Sequence, residues 1–199
     1  MRVLVVGASG TIGRAIVAEL EQRHEVIAAG RSSGDVRTDI TDSEAIRAMF
    51  ESVGSVDALV SATGKVKFAP FEDMGAEDYE LGLKDKLMGQ VDLVLIGRDY
   101  LSDGGSFTLT TGVLDRDPIR QGTSASMVNG AINAFVAAAA IEMPRGQRIN
   151  VVSPGVIEEA MEDYGPYFRG FEPVPAARAA LAYAKSVEGA QTGQVYRVL

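Results

Sequence analysis

The chain has 199 residues, 46% hydrophobic and 23% charged, a balance that suits one folded α/β domain and excludes a disordered tract. A net charge of −8 without any Lys/Arg run excludes the basic stripe of a nucleic-acid binder; Lys65, Lys67 and Lys84, Lys86 are only short pairs. With no cysteine and one histidine, His24, the sequence holds neither a disulfide framework nor a zinc-ligand set, and no metal is expected.

Arg2–Gly7 is an apolar run ended by glycine, the pattern of a strand buried on both faces. It starts at the N-terminus where a signal peptide would begin, so the expected compartment is the cytoplasm. Thr11–Gln22 carries Ile12, Ala15, Ile16 and Leu20 at helical spacing. Glu25–Gly30 reads as a second strand, and residues 42–53 as a helix capped by Asp42 or Thr41. Val56–Ala62 is another buried strand. A long helix is expected over Ala76–Leu101, with Gly82 and Gly89 as weak points. Ser106–Thr111 is β-rich. Ser124–Glu142 is an alanine-rich helix stopped by Pro144; its longest apolar run, Ala134–Ile141, is far shorter than the roughly 20 residues of a membrane span. Gln147–Ser153, a helix over Pro175–Val187 and a strand over Gln194–Val198 close the chain.

This alternation predicts one Rossmann-type, doubly wound parallel sheet with helices on both faces, in a single domain. One connection breaks the rule. Only Arg31–Asp35 separate the second strand from Val36–Ile40, whereas a parallel crossover takes about a dozen residues. The third strand is therefore stunted, missing or differently paired.

The first turn reads Gly7-Ala8-Ser9-Gly10-Thr11-Ile12-Gly13, directly after a strand and opening a helix. Gly7 suits the tight turn, Gly10 the approach of backbone to a pyrophosphate, and Gly13 close packing of helix on sheet. Free amides at the helix start, with the Ser9 and Thr11 hydroxyls, complete an anion site. At the end of the second strand stand Gly30-Arg31-Ser32-Ser33, with no acid before Asp35. A guanidinium and two hydroxyls favour a 2′-phosphate over a 2′-hydroxyl, hence NADP(H) over NAD(H).

With these motifs the chain resembles the short-chain dehydrogenase/reductase family over nearly its whole length. The glycine turn matches the family's Gly-x-x-Gly-x-x-Gly. Asp39-Ile40-Thr41-Asp42 is similar to the segment that contacts adenine, and Ser61-Ala62-Thr63-Gly64 stands where the family has Asn-Asn-Ala-Gly. Ser124-Ala125-Ser126 and the later Ser153-Pro154-Gly155 also match. The resemblance implies that Ile157, just past Pro154-Gly155, meets the nicotinamide carboxamide. It further implies a homodimer or homotetramer through the helices 76–101 and 124–142.

The family's Asn-Ser-Tyr-Lys set is absent. Carried over, the tyrosine of Tyr-x-x-x-Lys falls on Thr123 and the lysine on Met127; the serine falls on Thr110 or Thr111, and the asparagine on Lys86. A threonine alcohol is a far weaker acid than the family's phenol, whose pKa a neighbouring ammonium lowers. The catalytic candidates that remain are Thr110, Thr111, Thr123 and Lys86. Lys65 follows Gly64 at the carboxyl edge of the sheet, where ligands bind. Asp115, Arg116, Asp117 and Arg120 either line an entrance or form a solvated loop. Tyr164, Tyr167, Phe168 and Phe171 either roof a small pocket or pack a short helix. Two functions stay open: an NADPH-dependent reductase of a small molecule with an unorthodox proton source, or a non-catalytic NADP(H)-binding sensor or structural partner. A third is a domain for another pyrophosphate ligand.

Overall fold

Residues 1–199 are described by a computed structural model. Seven strands form one sheet: β1 (Arg2–Val6), β2 (Glu25–Gly30), β3 (Val36–Arg37), β4 (Val56–Ser61), β5 (Leu101–Thr110), β6 (Arg148–Pro154) and β7 (Val195–Val198). Their order is β3-β2-β1-β4-β5-β6-β7, and every pairing is parallel. The doubly wound sheet expected from the alternating elements is what forms.

Side chains alternate across each strand, so the sheet feeds two cores. Leu4, Val6, Leu59, Phe107 and Leu109 face α2 (Ser43–Val53), α4 (Gly89–Gly97) and α5 (Thr123–Glu142). Val3, Val5, Ala58 and Val60 face α1 (Thr11–Leu20) and α7 (Ala176–Glu188), with Tyr183 wholly buried among them. The remaining helices are α3 (Ala76–Leu81) and the single turn α6 (Met161–Tyr164). Asp42 caps α2, accepting from the Glu44 amide at 2.9 Å.

The third strand is stunted rather than missing, and it pairs in parallel although no helix intervenes. After Gly30 the chain folds back on itself. The Asp35 amide donates to the Ala28 carbonyl at 2.8 Å, and the Asp35 carboxylate accepts from the Ala28 amide at 2.8 Å. Gly34, at φ +108°, makes the reversal; a β-carbon there would lie 2.6 Å from that carbonyl. Val36 and Arg37 then run alongside Ala29 and Gly30.

Two boundaries differ from the sequence expectation. The long helix ends at Gly97, and β5 begins at Leu101 rather than Ser106. A bulge between Val56 and Ala58 lets the polar stretch 102–105 join the strand, with Ser102 donating to Asp57 at 3.0 Å. Between α3 and α4 the helix does not break. It continues as a π-helical segment, Gly82–Met88. Gly82 and Gly89 bracket it because neighbours come close: a β-carbon would stand 3.0 Å from the Ser124 hydroxyl at Gly82 and 2.6 Å from Ile40 at Gly89.

Candidate functional site

At the carboxyl ends of the strands a groove of about 540 Å³ meets an apolar cavity of about 320 Å³. Such a crevice is where open parallel sheets bind ligands.

The glycine turn forms one wall of the groove. Gly7 sits at φ +86°, its amide donating to the Ala29 carbonyl at 2.8 Å; a β-carbon there would lie 2.5 Å from the Ala62 carbonyl. Gly13 packs directly beneath the Gly7 carbonyl. Gly10 is different. A β-carbon on it would meet only the Gly7 carbonyl, at 3.4 Å, so no packing within the chain requires a glycine there. Gly10 is also the N-cap of α1 and supplies no side-chain acceptor, so the first-turn amides stay available to an anion. A dinucleotide pyrophosphate fits this cradle.

Of the residues singled out in the sequence, Gly7, Ser9, Gly10, Ile12, Arg31, Ser32, Ile40, Ala62, Thr63 and Gly64 line the groove. Thr11, Pro154, Gly155 and Ile157 line the cavity beyond it. Four lie outside both. Gly13 packs under the turn. Ser33 turns toward Arg14 and α1. Ser61 is fully buried, its carbonyl accepting from the Thr110 hydroxyl. The Asp39 carboxylate accepts from the Thr41 amide at 2.9 Å and the Thr41 hydroxyl at 2.8 Å, bonds that with Arg31 hold it below the usual carboxylate range. Thr38, one residue earlier, faces the groove instead, with a buried hydroxyl that has no partner in the chain.

Arg31 bridges two acids across the mouth of the groove, reaching Asp39 at 3.3 Å and Asp85 at 3.5 Å. Asp85 is itself buried and accepts from the Lys65 amide at 2.8 Å.

Thr110 and Thr111 both line the groove, but their hydroxyls have different partners. Thr110 and Thr111 are adjacent on one chain, so they point to opposite faces. The Thr110 hydroxyl faces α7, accepting from the Tyr183 hydroxyl at 2.8 Å while donating to Ser61. Thr111 faces α5, donating to Asn133 at 3.2 Å, and it alone of the two lines the apolar cavity. Asn133 in turn donates to Asp115 at 2.8 Å, which gives that loop acid an inward role, whereas Arg116, Asp117 and Arg120 are exposed.

Thr123 is not brought to the cleft. Its hydroxyl pairs with the Tyr79 hydroxyl at 2.9 Å, and Met127, one turn on, points outward. The i, i+4 pair of α5 that lines the cavity is Ala125 and Asn129. Neither is a position that the resemblance assigns to the family's tyrosine or lysine; those positions, Thr123 and Met127, lie outside the cavity lining. Asn129 donates to the Gly112 carbonyl at 3.3 Å, and its buried oxygen has no partner.

Lys86, in the π-helical segment, lines groove and cavity both. Burial pushes its pKa down to about 8, against a smaller raising pull from Asp85. Apart from Thr11, Thr111 and Asn129 the cavity is mainly apolar, with Val66, Phe68, Val113, Leu114 and Val156 around it and Tyr164 and Phe168 from the segment after β6. Phe68 meets Tyr164 edge-on at 5.8 Å. Tyr167 and Phe171 pack behind these rings instead of lining the space. Val66, Phe68 and Asn129 had no motif to announce them; their only signal is position near a strand end or on one helix face.

A family model described as enoyl-(acyl carrier protein) reductase matches residues 3–198. The crystal structure of the protein lin1944 from Listeria innocua is 55% identical, with a TM-score of 0.99 and both chains covered in full. A small-chain dehydrogenase is 27% identical, with a TM-score of 0.86 over all of this chain and 95% of that one. A small-chain dehydrogenase in complex with NADPH is 26% identical, with a TM-score of 0.88 over all of this chain and 96% of that one. No curated protein matches the sequence.

Proposed function

Because the chain belongs to the short-chain dehydrogenase/reductase family, we propose that it is an oxidoreductase that takes NADP(H) in preference to NAD(H) and reduces a small apolar substrate. The observation that carries this reading is the continuity of the crevice. An uncapped helix start at Gly10, an arginine at the end of β2 and the Pro154-Gly155 wall follow one another into an apolar cavity.

Each part has a chemical task. The amides at Gly10–Ile12 hold the pyrophosphate, and Arg31 with Ser32 meets the 2′-phosphate. Thr38, Ile40 and Thr63 flank the adenosine half, while Ile157 and the Pro154-Gly155 backbone stand beside the nicotinamide half. When bound, the reduced nicotinamide supplies a hydride to a substrate carbon. The aromatic and aliphatic walls keep water from that carbon and select an apolar body. A relative of similar fold holding NADPH supports the cofactor assignment.

A second reading follows from Thr123 and Met127, which stand where the family has its tyrosine and lysine. Without that tyrosine and lysine, the same pocket serves a non-catalytic NADP(H) sensor. Titration calorimetry with NADPH and NADH, followed by a panel of aldehydes and ketones, separates the two. NADPH binding with turnover supports the oxidoreductase; NADPH binding without turnover on any substrate supports the sensor; binding of neither dinucleotide removes both. Our reading also makes the protein cytoplasmic, and a homodimer or homotetramer through 76–101 and 124–142. Leu95, Met127 and Ile141, apolar side chains left exposed on those helices, support that assembly.

A further inference from the structure

Five residues line groove and cavity alike: Ile12, Ala62, Gly64, Lys86 and Thr111. Lys86 is the one among them that ionises. It stands at the junction where a nicotinamide ring and a substrate carbon have to meet. Its chain lies flat on Gly64, whose missing side chain makes the room. The one charge that acts on it appreciably is Asp85, and that carboxylate is turned to the Lys65 amide and to Arg31. The ammonium thus enters no ion pair that would lock its proton in place.

The other groups around the cavity are poor proton donors. Ala125 has none to give. Asn129 and Thr111 are far too weakly acidic, and the Thr111 proton is already directed to Asn133. Tyr164, on α6, is two-fifths exposed, so its phenol is open to solvent where Lys86 is not.

Building on the oxidoreductase reading, we propose that Lys86 is the proton donor of the reduction and that the substrate is an aldehyde or ketone with an apolar body. A carbon–hydrogen bond forms at the carbonyl carbon from the hydride of NADPH, and the π-electron pair moves to oxygen. That oxygen takes a proton from the Lys86 Nζ; the N–H bond breaks and its electron pair stays on nitrogen. An alcohol and NADP⁺ result, and the neutral amine regains its proton from water. The charged groups around Lys86 are Asp85 on its own segment, Lys65 after β4 and Arg31 after β2, with Asp39 neutralising Arg31; Tyr164 is the titratable group that shares the cavity lining with it. Near neutral pH the donor is protonated, yet close enough to its pKa of about 8 to release the proton readily.

The test uses the full chain as wild type, Lys86→Met and Lys86→Arg. Arginine keeps the charge but does not give up its proton. Reaction of Lys86 with trinitrobenzenesulfonate, mapped by mass spectrometry against pH, reads the lysine directly and is expected to show a midpoint near 8 that NADPH protects. NADPH affinity is expected to stay within about threefold in both variants, while kcat for the aldehyde and ketone panel falls about 100-fold or more in both. Wild-type kcat is expected to decline above pH 8. A midpoint near that of free lysine overturns the proposal. So does a Lys86→Arg variant with near-normal kcat, or a loss confined to NADPH affinity, which would make Lys86 a ribose anchor. Wild type that binds NADPH but reduces nothing overturns it and leaves the cofactor site intact. Failure to bind NADPH overturns the cofactor reading and this inference together.

Discussion

The side chain of Lys86 crosses the α-carbon of Gly64 so closely that a β-carbon there would fall 2.6 Å from its Cγ and 2.8 Å from its Cβ. Gly64 also sits at φ +124°, a backbone conformation that side-chain-bearing residues rarely adopt. Gly64→Ala is therefore expected to cost roughly 1–3 kcal/mol in strain and to lift Lys86 from its place. Urea denaturation measures the first effect; a Lys86 labelling midpoint moved toward that of free lysine measures the second. A variant with unchanged stability and labelling would mean that the contact is readily relieved.

Burial of Lys86 has a pH signature of its own. Its pKa falls from 10.5 to about 8 on folding, so between those values the unfolded chain binds more proton than the native one. Stability should then rise with pH through that window, and below it the cost of burying the ammonium is felt in full. Lys86→Met removes that cost. Near pH 7 the variant should be more stable by up to about 3 kcal/mol, the equivalent of the shift, with the gain gone near pH 10.5. Urea midpoints at several pH values check this, and a parallel pH dependence in both proteins would refute it. A residue that destabilises its own fold at working pH is what a functional role predicts.

Arg31 is half exposed and shared between Asp39 and Asp85, so it is already oriented over the groove. A 2′-phosphate offers it a doubly charged partner in their place. Arg31→Ala should weaken NADPH binding at least about tenfold and NADH binding by no more than about twofold, as a lost charge-assisted bond implies. Calorimetry decides; an equal loss for both dinucleotides would remove Arg31 from the specificity argument.

The glycine turn, the strand–helix alternation and the stunted β3 could be read from the chain because each rests on local chemistry. The α5 face could not. Thr123-Ser124-Ala125-Ser126-Met127 is similar to a Tyr-Ser-Ala-Ser-Lys string, which places the family's tyrosine and lysine on Thr123 and Met127, but the string does not tell that Ala125 and Asn129 line the cavity. Which residues of a helix face the cleft depends on how it rolls against the sheet. Here Val128, Ile132 and Val136 fix that roll from the core side and bring Ala125 and Asn129 inward. The π-helical segment escaped for a related reason: one widened turn shifts every later residue around the axis, and no propensity scale marks it. Without that turn there was no basis for seating Lys86 over Gly64.

In the assembly we propose, α4 and α5 pair two copies of this chain, and their exposed apolar side chains would lie in that seam. Met127 and Leu95 are each about two-fifths exposed, and Ile141 far more so. Met127→Glu with Leu95→Arg should shift the protein toward monomer in sedimentation equilibrium without loss of NADPH binding. A wild type that sediments as a monomer at high concentration rules the interface out.

Thr110 and Thr111 allow the opposing faces of one strand end to be tested against each other. Tyr183 is wholly buried, and burial pushes its phenol up, so it stays neutral and needs an acceptor, which Thr110 provides. Thr110→Val strips that acceptor and also the donor to the Ser61 carbonyl, leaving two polar groups unpaired in a dry interior at roughly 1–3 kcal/mol each. Tyr183→Phe removes only the outer partner; Thr110 keeps its bond to Ser61, and the loss should be nearer about 1 kcal/mol. Thr110→Ser retains the hydroxyl and should recover most of the stability. Although Thr110 borders the groove, its hydroxyl is turned to Ser61 and Tyr183, so none of the three should change NADPH affinity by more than about threefold. Thr111→Val loses a single bond, to Asn133, and should cost about 1 kcal/mol, less than Thr110→Val. Should Thr110→Val abolish turnover in a protein that is still fully folded, the face assigned to that hydroxyl is wrong, and the serine position of the family belongs to Thr110 after all.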